Sequence, residues 1–268
     1  MLHSSTAKVT QLQLAELDVD RSLNCYLTDM GTIDRVPVKA YLVDAGGYRY
    51  LVDTGAPDED YCRQWHRALV PGSRRDLVQV LLEQGAESLD GVILTHLHWD
   101  HAGNLDALDP AVPVFVQRAE LAYAVSPLPL HRRGYDHLRS GKDHMPPWAG
   151  RELHLLDGDS VLAGGIRLIH TPGHSPGSQC VLVREHGGEL AALAGDTVPT
   201  VRNWADQIPC GIHVSIADWY ASMRRLREVA TAVYPGHGDK VHTDSLSPAS
   251  FEPPGYLLDR GHGVRQHS

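Results

Sequence analysis

Residues 37–53, PVKAYLVDAGGYRYLVD, carry two runs of β-forming side chains on either side of Gly46-Gly47. Tyr41, Leu42 and Val43 precede the glycines, and Tyr48, Tyr50 and Val52 follow them, so the segment predicts a hairpin. The pattern then changes period. In residues 74–84, Leu77, Val78, Leu81 and Leu82 recur at helical spacing until Gly85 stops the run. Residues 91–95, GVILT, predict a short buried strand, 112–117 another, and 118–125 a short helix. Strands are predicted at 166–170, 179–183, 190–194 and 232–234. The clearest helix is 215–231: Ser215 and Asp218 form a cap at its start, and Trp219, Met223 and Leu226 share one face. Residues 126–150 predict a long irregular insertion rich in Pro, Gly and His, of the kind used as a lid. Residues 245–268 predict a flexible tail.

Strands and helices interleave, yet hairpins occur too. That mixture argues against a purely parallel doubly wound sheet and for sheets carrying helices on their outer faces. No internal repeat is present, and the 268 residues, 42% hydrophobic and 21% charged, suit a single domain over 1–268. The net charge of -9 disfavours a nucleic-acid partner, because an acidic chain gains nothing from releasing phosphate counterions. Cys25, Cys62, Cys180 and Cys210 form no C-x-x-C pair and read as reduced, buried thiols. Residues 1–20 lack the apolar core of a signal peptide, and no run reaches about 18 apolar residues. The expectation is a cytoplasmic protein with no membrane partner, monomeric or homodimeric.

The chemistry concentrates in THLHWDHAGN, residues 95–104, which crowds His96, His98, Asp100 and His101 behind the apolar run Val92-Ile93-Leu94. A lone histidine is usually a surface or satisfied core residue; an H-x-H-x-D-H cluster is hard to explain that way. The same arrangement, an apolar strand ending in a ligand, recurs three times. Ile166–Ile169 leads to His174, Leu190–Ala194 to Asp196, and Ala232–Tyr234 to His237, each past a Gly or Pro that turns the chain. Strand ends on one sheet edge can converge on one point. Seven N/O ligands exceed what one zinc takes, whereas two metals sharing a bridging carboxylate account for all of them. With no thiolate in the set, Zn²⁺ is the first choice, with manganese, iron or cobalt as alternatives. His131, His137 and His144 of the insertion are read as solvated rather than ligating.

H-x-H-x-D-H, then T-P-G-H-S-P-G, G-D and G-H, preceded by L-V-D-T-G at 51–55, resembles the metallo-β-lactamase superfamily over residues 37–241. The resemblance implies an αβ/βα sandwich, two mixed β-sheets flanked by helices with the metals at one edge. It implies that His96, His98 and His174 hold one metal and that Asp100, His101 and His237 hold the other. Asp196 is then the bridging carboxylate, and Asp53 supports the site by hydrogen bonds rather than as a ligand. V-P-V-K-A-Y-L-V at 36–43, H-T-P-G-H-S-P-G at 170–177 and P-C-G-I-H at 209–213 are similar to the N-acyl homoserine lactonase family. One position departs: where those lactonases often carry a tyrosine three residues after the bridging aspartate, this chain has Pro199. Asn203, Trp204 and His213 are candidates for the pocket lining, a structural role being the alternative for each.

The resulting expectation is a metal-dependent hydrolase of small-molecule carboxylic esters. It would open a lactone ring by attack of a hydroxide held between two metals, with Asp100 as proton shuttle. Hydrolysis of another ester, thioester or amide in secondary metabolism is the alternative. A metal-binding protein without turnover is the reading from a different class.

Overall fold

The computed structural model describes residues 6–135 and 145–243. The first half builds one sheet of six strands in chain order: β1 (Ala7–Asp20), β2 (Ile33–Ala45), β3 (Tyr48–Val52), β4 (Gly91–Ile93), β5 (Val114–Gln117) and β6 (Leu153–Leu156). The second half builds another: β7 (Ser160–Val161), β8 (Arg167–His170), β9 (Gln179–Arg184), β10 (Leu190–Leu193), β11 (Ala232–Tyr234) and β12 (Val241–His242). Among the described residues the helices are α1 (Arg21–Asn24), α2 (Glu59–Trp65), α3 (Leu77–Glu83), α4 (Trp99–Ala102), α5 (Arg118–Val125), α6 (Val201–Asp206) and α7 (Ile216–Val229).

Both sheets are mixed. β1, β2 and β3 pair antiparallel, and β3 through β6 run parallel. In the second sheet only β10 and β11 pair parallel. Alternation along the strands fixes the layers. Tyr41, Val43, Val52 and Ile93 of the first sheet pack against Leu168, Val181, Val183 and Leu193 of the second. Their neighbours point the other way. Leu42, Leu51, Val92 and Leu94 pack under Leu77, Val80 and Leu81 of α3. Ile169, Leu182 and Val233 pack under Trp219, Met223 and Leu226 of α7. A strand buried on both faces needs a partner layer on each side, and the result is the expected αβ/βα sandwich.

Local signals explain the elements that match expectation. Gly46 and Gly47 take φ of 58° and 85°, the left-handed values that a tight hairpin turn needs and that a glycine adopts without a steric penalty. Ser215 Oγ accepts the Asp218 N–H at 3.2 Å, starting α7 where the cap was predicted. The four cysteines are buried thiols outside any disulfide.

Other elements were not foreseen. β1 runs for fourteen residues over a stretch given no element above. A β-bulge between Gln13 and Ala15 shifts its register, so the buried set changes phase from Leu12 and Leu14 to Ala15 and Leu17. Beyond β2, the strand is covered by the segment after α2: the Asp18 N–H donates to Ala68 O at 2.8 Å, Val70 N–H to Glu16 O at 2.9 Å and Arg75 N–H to Leu14 O at 2.7 Å. Helices α2, EDYCRQW, and α6, VRNWAD, carry too few aliphatic residues for a periodic apolar stripe to register. Of the predicted insertion, 126–135 and 145–150 are described; its centre, with His137 and His144, lies outside the described residues, as does the predicted tail 245–268. His131 corrects expectation. It is buried, not solvated, and its Nδ1 meets the Tyr123 hydroxyl at 2.6 Å.

Candidate metal centre

The loops that carry the candidate ligands leave β4, β8, β10 and β11. β8 and β10 are both antiparallel to β9, so they end on one edge, and β11 runs parallel to β10 to the same edge. The two sheets are pinned together at that edge. The Gln179 N–H donates to Thr95 O at 2.9 Å, and its side-chain amide donates to Leu94 O at 2.8 Å. Gly195, with φ of 47°, lies so close to Thr95 that an added Cβ would meet Thr95 Oγ1 at 2.6 Å. Here a glycine is required both by its backbone and by the approach of the opposite sheet.

All seven predicted residues come together in two groups. His174 Nε2 stands 2.9 Å from His98 Nδ1 and 3.2 Å from His96 Nε2. Asp100 Oδ2 lies 3.5 Å from His237 Nε2 and 3.9 Å from His101 Nε2. Asp196 stands between the groups. Its Oδ1 faces His101 Nε2 and His237 Nε2, each at 3.3 Å, while its Oδ2 faces His174 Nε2 at 3.6 Å. Within each set of three, the donor atoms lie within 4.8 Å of one another. All seven side chains are buried.

The outward nitrogens of four histidines are tied down, which sets the tautomer. The Nδ1–H of His101 donates to Asp53 Oδ2 at 2.8 Å, that of His174 to Ile212 O at 2.7 Å and that of His237 to Pro37 O at 2.9 Å. His96 Nδ1 lies 3.1 Å from Thr95 Oγ1, which itself donates to Asp53 Oδ2 at 2.8 Å. Each ring therefore turns its Nε2 inward. Asp53 thus lies behind His101 and His96, and takes the Thr95 N–H on its other oxygen at 2.7 Å. Its φ of 59°, unusual for a residue with a side chain, is the local backbone that aims it.

Burial pushes the His96, His98 and His174 pKa values below the usual imidazole range, and the neighbouring histidines push His96 and His98 further, so these rings are neutral. For His101 and His237 burial acts the same way, but Asp196 and Asp100 outweigh it and hold both values above the usual range. Asp196 is held well below its usual range, because His237 and His101 overcome the penalty of burial.

This donor set fits divalent metal. His101 Nε2 and Asp196 Oδ1 are buried and make no hydrogen bond. Buried polar atoms crowded together without a hydrogen bond are costly unless a cation, a proton or a metal ion, lies among them. Three nitrogens on one side, two nitrogens and a carboxylate on the other, and a carboxylate facing both match two N/O sites without thiolate.

Two predicted substrate contacts fall elsewhere. Asn203 is fully buried, and its amide is spent on Asn24 O, Ile208 O and Thr200. Trp204 is buried in the core against Trp219 and Met223, with Arg227 over its ring at 4.7 Å. Both hold up the loop beyond Asp196 rather than line a pocket. His213 remains partly exposed on the segment whose Ile212 carbonyl holds His174. Its Nδ1–H donates to Cys210 O at 2.7 Å, and Tyr26 packs edge-on at 4.8 Å. Pro199 is buried, and its carbonyl accepts the His237 N–H at 2.7 Å.

Sequence reasoning missed the supports. Pro37 O and Ile212 O are backbone groups with no side-chain signature. Glu120, in the first turn of α5, is fully buried beneath the ligand loops, yet a single Glu in a helix carries no signal. Leu97 and Trp99, the alternate residues of the motif, line a cavity of about 280 Å³ with Pro57, Arg74, Tyr135 and Trp148.

The Lactamase_B family model, described as the metallo-beta-lactamase superfamily, matches residues 33–237. The chain belongs to that superfamily, a class of hydrolases. Among curated proteins, an N-acyl homoserine lactonase of Bacillus thuringiensis is 31% identical over 220 residues, covering 78% of this chain and 82% of its own. Among solved structures, a quorum-quenching N-acyl homoserine lactone lactonase superposes with a TM-score of 0.71 at 24% identity, covering 89% of this chain and 94% of its own. A dizinc quorum-quenching lactonase superposes with a TM-score of 0.62 at 14% identity, covering 88% and 91%. At these identities the two structures speak for the fold alone. No helix among the described residues is long and apolar enough to cross a membrane.

Proposed function

We propose that the protein is a dinuclear metal-dependent hydrolase that opens a lactone ring of the N-acyl homoserine lactone kind. The observation that carries the reading is Asp196, whose two oxygens face the two donor groups. Lactonase relatives at 31% identity supply the substrate class. Zinc is the metal favoured by the all N/O donor set.

Bound there, the metals would supply Lewis acidity for the scissile carbonyl and lower the pKa of a water from 15.7 to about 7. His96, His98 and His174 would hold one ion and Asp100, His101 and His237 the other, with Asp196 available to both. Asp53 keeps the proton of His101 on Nδ1, so that Nε2 stays a ligand. Asp100 would take a proton from the attacking water and return it to the leaving alkoxide as the ring opens. Ring opening breaks the acyl C–O bond, adds water across it and yields a hydroxy acid.

Pro199 offers no hydroxyl where the related lactonases often have one. His213, partly exposed on the segment whose Ile212 carbonyl holds His174, is the candidate substrate contact in its place, of different character. With its proton held on Nδ1 by Cys210 O, its Nε2 is an acceptor, suited to a substrate amide N–H rather than to a carbonyl.

The test is acid release at constant pH from a panel of lactones, esters and β-lactams, beside elemental analysis of the purified protein. About two equivalents of metal, with lactones turned over well and β-lactams poorly, supports the reading. Efficient β-lactam turnover with inert lactones overturns it.

A further inference from the structure

Glu120 is a fully buried carboxylate whose four hydrogen-bond donors are all neutral. A buried charge is normally paired or heavily hydrogen-bonded, since the uncompensated desolvation penalty is large. Here the donors divide between two loops. Oε1 accepts the Leu97 N–H at 3.0 Å and the Tyr135 hydroxyl at 2.9 Å. Oε2 accepts the Ser175 hydroxyl at 2.5 Å and the Gly177 N–H at 3.1 Å. Leu97 lies between His96 and His98, and Ser175 follows His174. One oxygen therefore grips each of the two loops that bring His174 Nε2 to 2.9 Å from His98 Nδ1 and 3.2 Å from His96 Nε2. Tyr135 packs its ring edge-on against His98 at 4.6 Å, so the same carboxylate also seats the residue behind that ligand. Gly177 fits only as glycine: a Cβ there would meet the Glu120 N at 2.2 Å.

We propose that Glu120 is a positioning residue that locks the His96–His98 loop to the His174 turn and so sets the geometry of the three-histidine site, leaving the Asp100/His101/His237 site to other supports. This rests on the reading that the three histidines hold a metal. The carboxylate is specifically needed. An amide in its place would turn an N–H₂ group toward donors on one of the two loops, leaving that grip broken.

The experiment is a calorimetric titration of metal-stripped protein with Zn²⁺, comparing wild type with E120Q, E120D and Y135F, and recording thermal stability of each metal-free form. Outer partners of metal ligands typically contribute about 10–100-fold in affinity. The expected result is one of two Zn²⁺ affinities lowered by that factor in E120Q, with the other within about threefold of wild type. Partial recovery is expected in E120D, and Y135F, which keeps the ring and loses one donor, should show a smaller loss at the same site. Unchanged affinities, or equal weakening of both sites, overturn the proposal. If E120Q does not fold, Y135F alone decides by the same criterion. A wild-type protein that takes up no Zn²⁺ overturns the metal reading itself, and this inference falls with it.

Discussion

The two sheets supply the site in different ways. The first gives His96, His98, Asp100 and His101 from one loop behind β4, within six residues. The second gives His174, Asp196 and His237 from three separate strand ends spread over sixty-four residues. The loop's geometry is largely local: α4 places Asp100 and His101 in its one turn, and Glu120 and Asp53 brace it from below. The second sheet's geometry is collective, because its three ligands meet only if β8, β10 and β11 keep their register. The two contributions meet at Asp196 and across the contact of Thr95 with Gly195.

That contrast can be broken most severely at the shared residue. Asp196→Ala removes the one group that faces both donor sets. Metal content should fall from about two equivalents to below one, and turnover by about three decades or more, since metal assistance is worth several kcal/mol. Elemental analysis and constant-pH titration check it; wild-type metal content in this variant would dissolve the link between the halves. His174→Ala removes one ligand from the second sheet and should release about one equivalent while the Asp100/His101/His237 site keeps its own. Competition with a chromophoric chelator reads this directly. Asp53→Asn tests the bracing of the loop. It weakens the acceptor for the His101 Nδ1–H and should lower affinity chiefly at the His101 site, by about 10–100-fold, with a smaller loss passed to His96 through Thr95. Gly195→Ala is the mildest. The left-handed φ of 47° and the 2.6 Å approach to Thr95 predict a loss of about 1–3 kcal/mol in urea unfolding. An unchanged midpoint would mean that the two sheets are not pinned there.

The same contrast explains what could be read from the chain. His96, His98, Asp100 and His101 were legible because a local loop writes its ligands in consecutive text. His174, Asp196 and His237 were legible only because each follows a short apolar run and a Gly or Pro. The supports were not legible. The partners of His174 and His237 are the carbonyls of Ile212 and Pro37, and every residue has a carbonyl. Glu120 looks like any surface acid of a helix until its burial is known. Asn203 and Trp204 were misplaced for the converse reason: a polar and an aromatic residue near a ligand suggest a pocket, yet here they fill the core behind it. Strand β1 escaped because its bulge breaks the alternation that announces a half-buried strand.

That strand also has a bearing on solubility. Fourteen residues at the end of a sheet would span roughly 46 Å, a long template for another chain to add to. Leu14, Glu16 and Asp18 instead give their outward backbone groups to Ala68, Val70, Ser73 and Arg75 of the same molecule. The bulge twists the strand just there. A segment with no part in the chemistry thus caps the C-terminal half of this edge against strand addition, the first step of edge-to-edge aggregation.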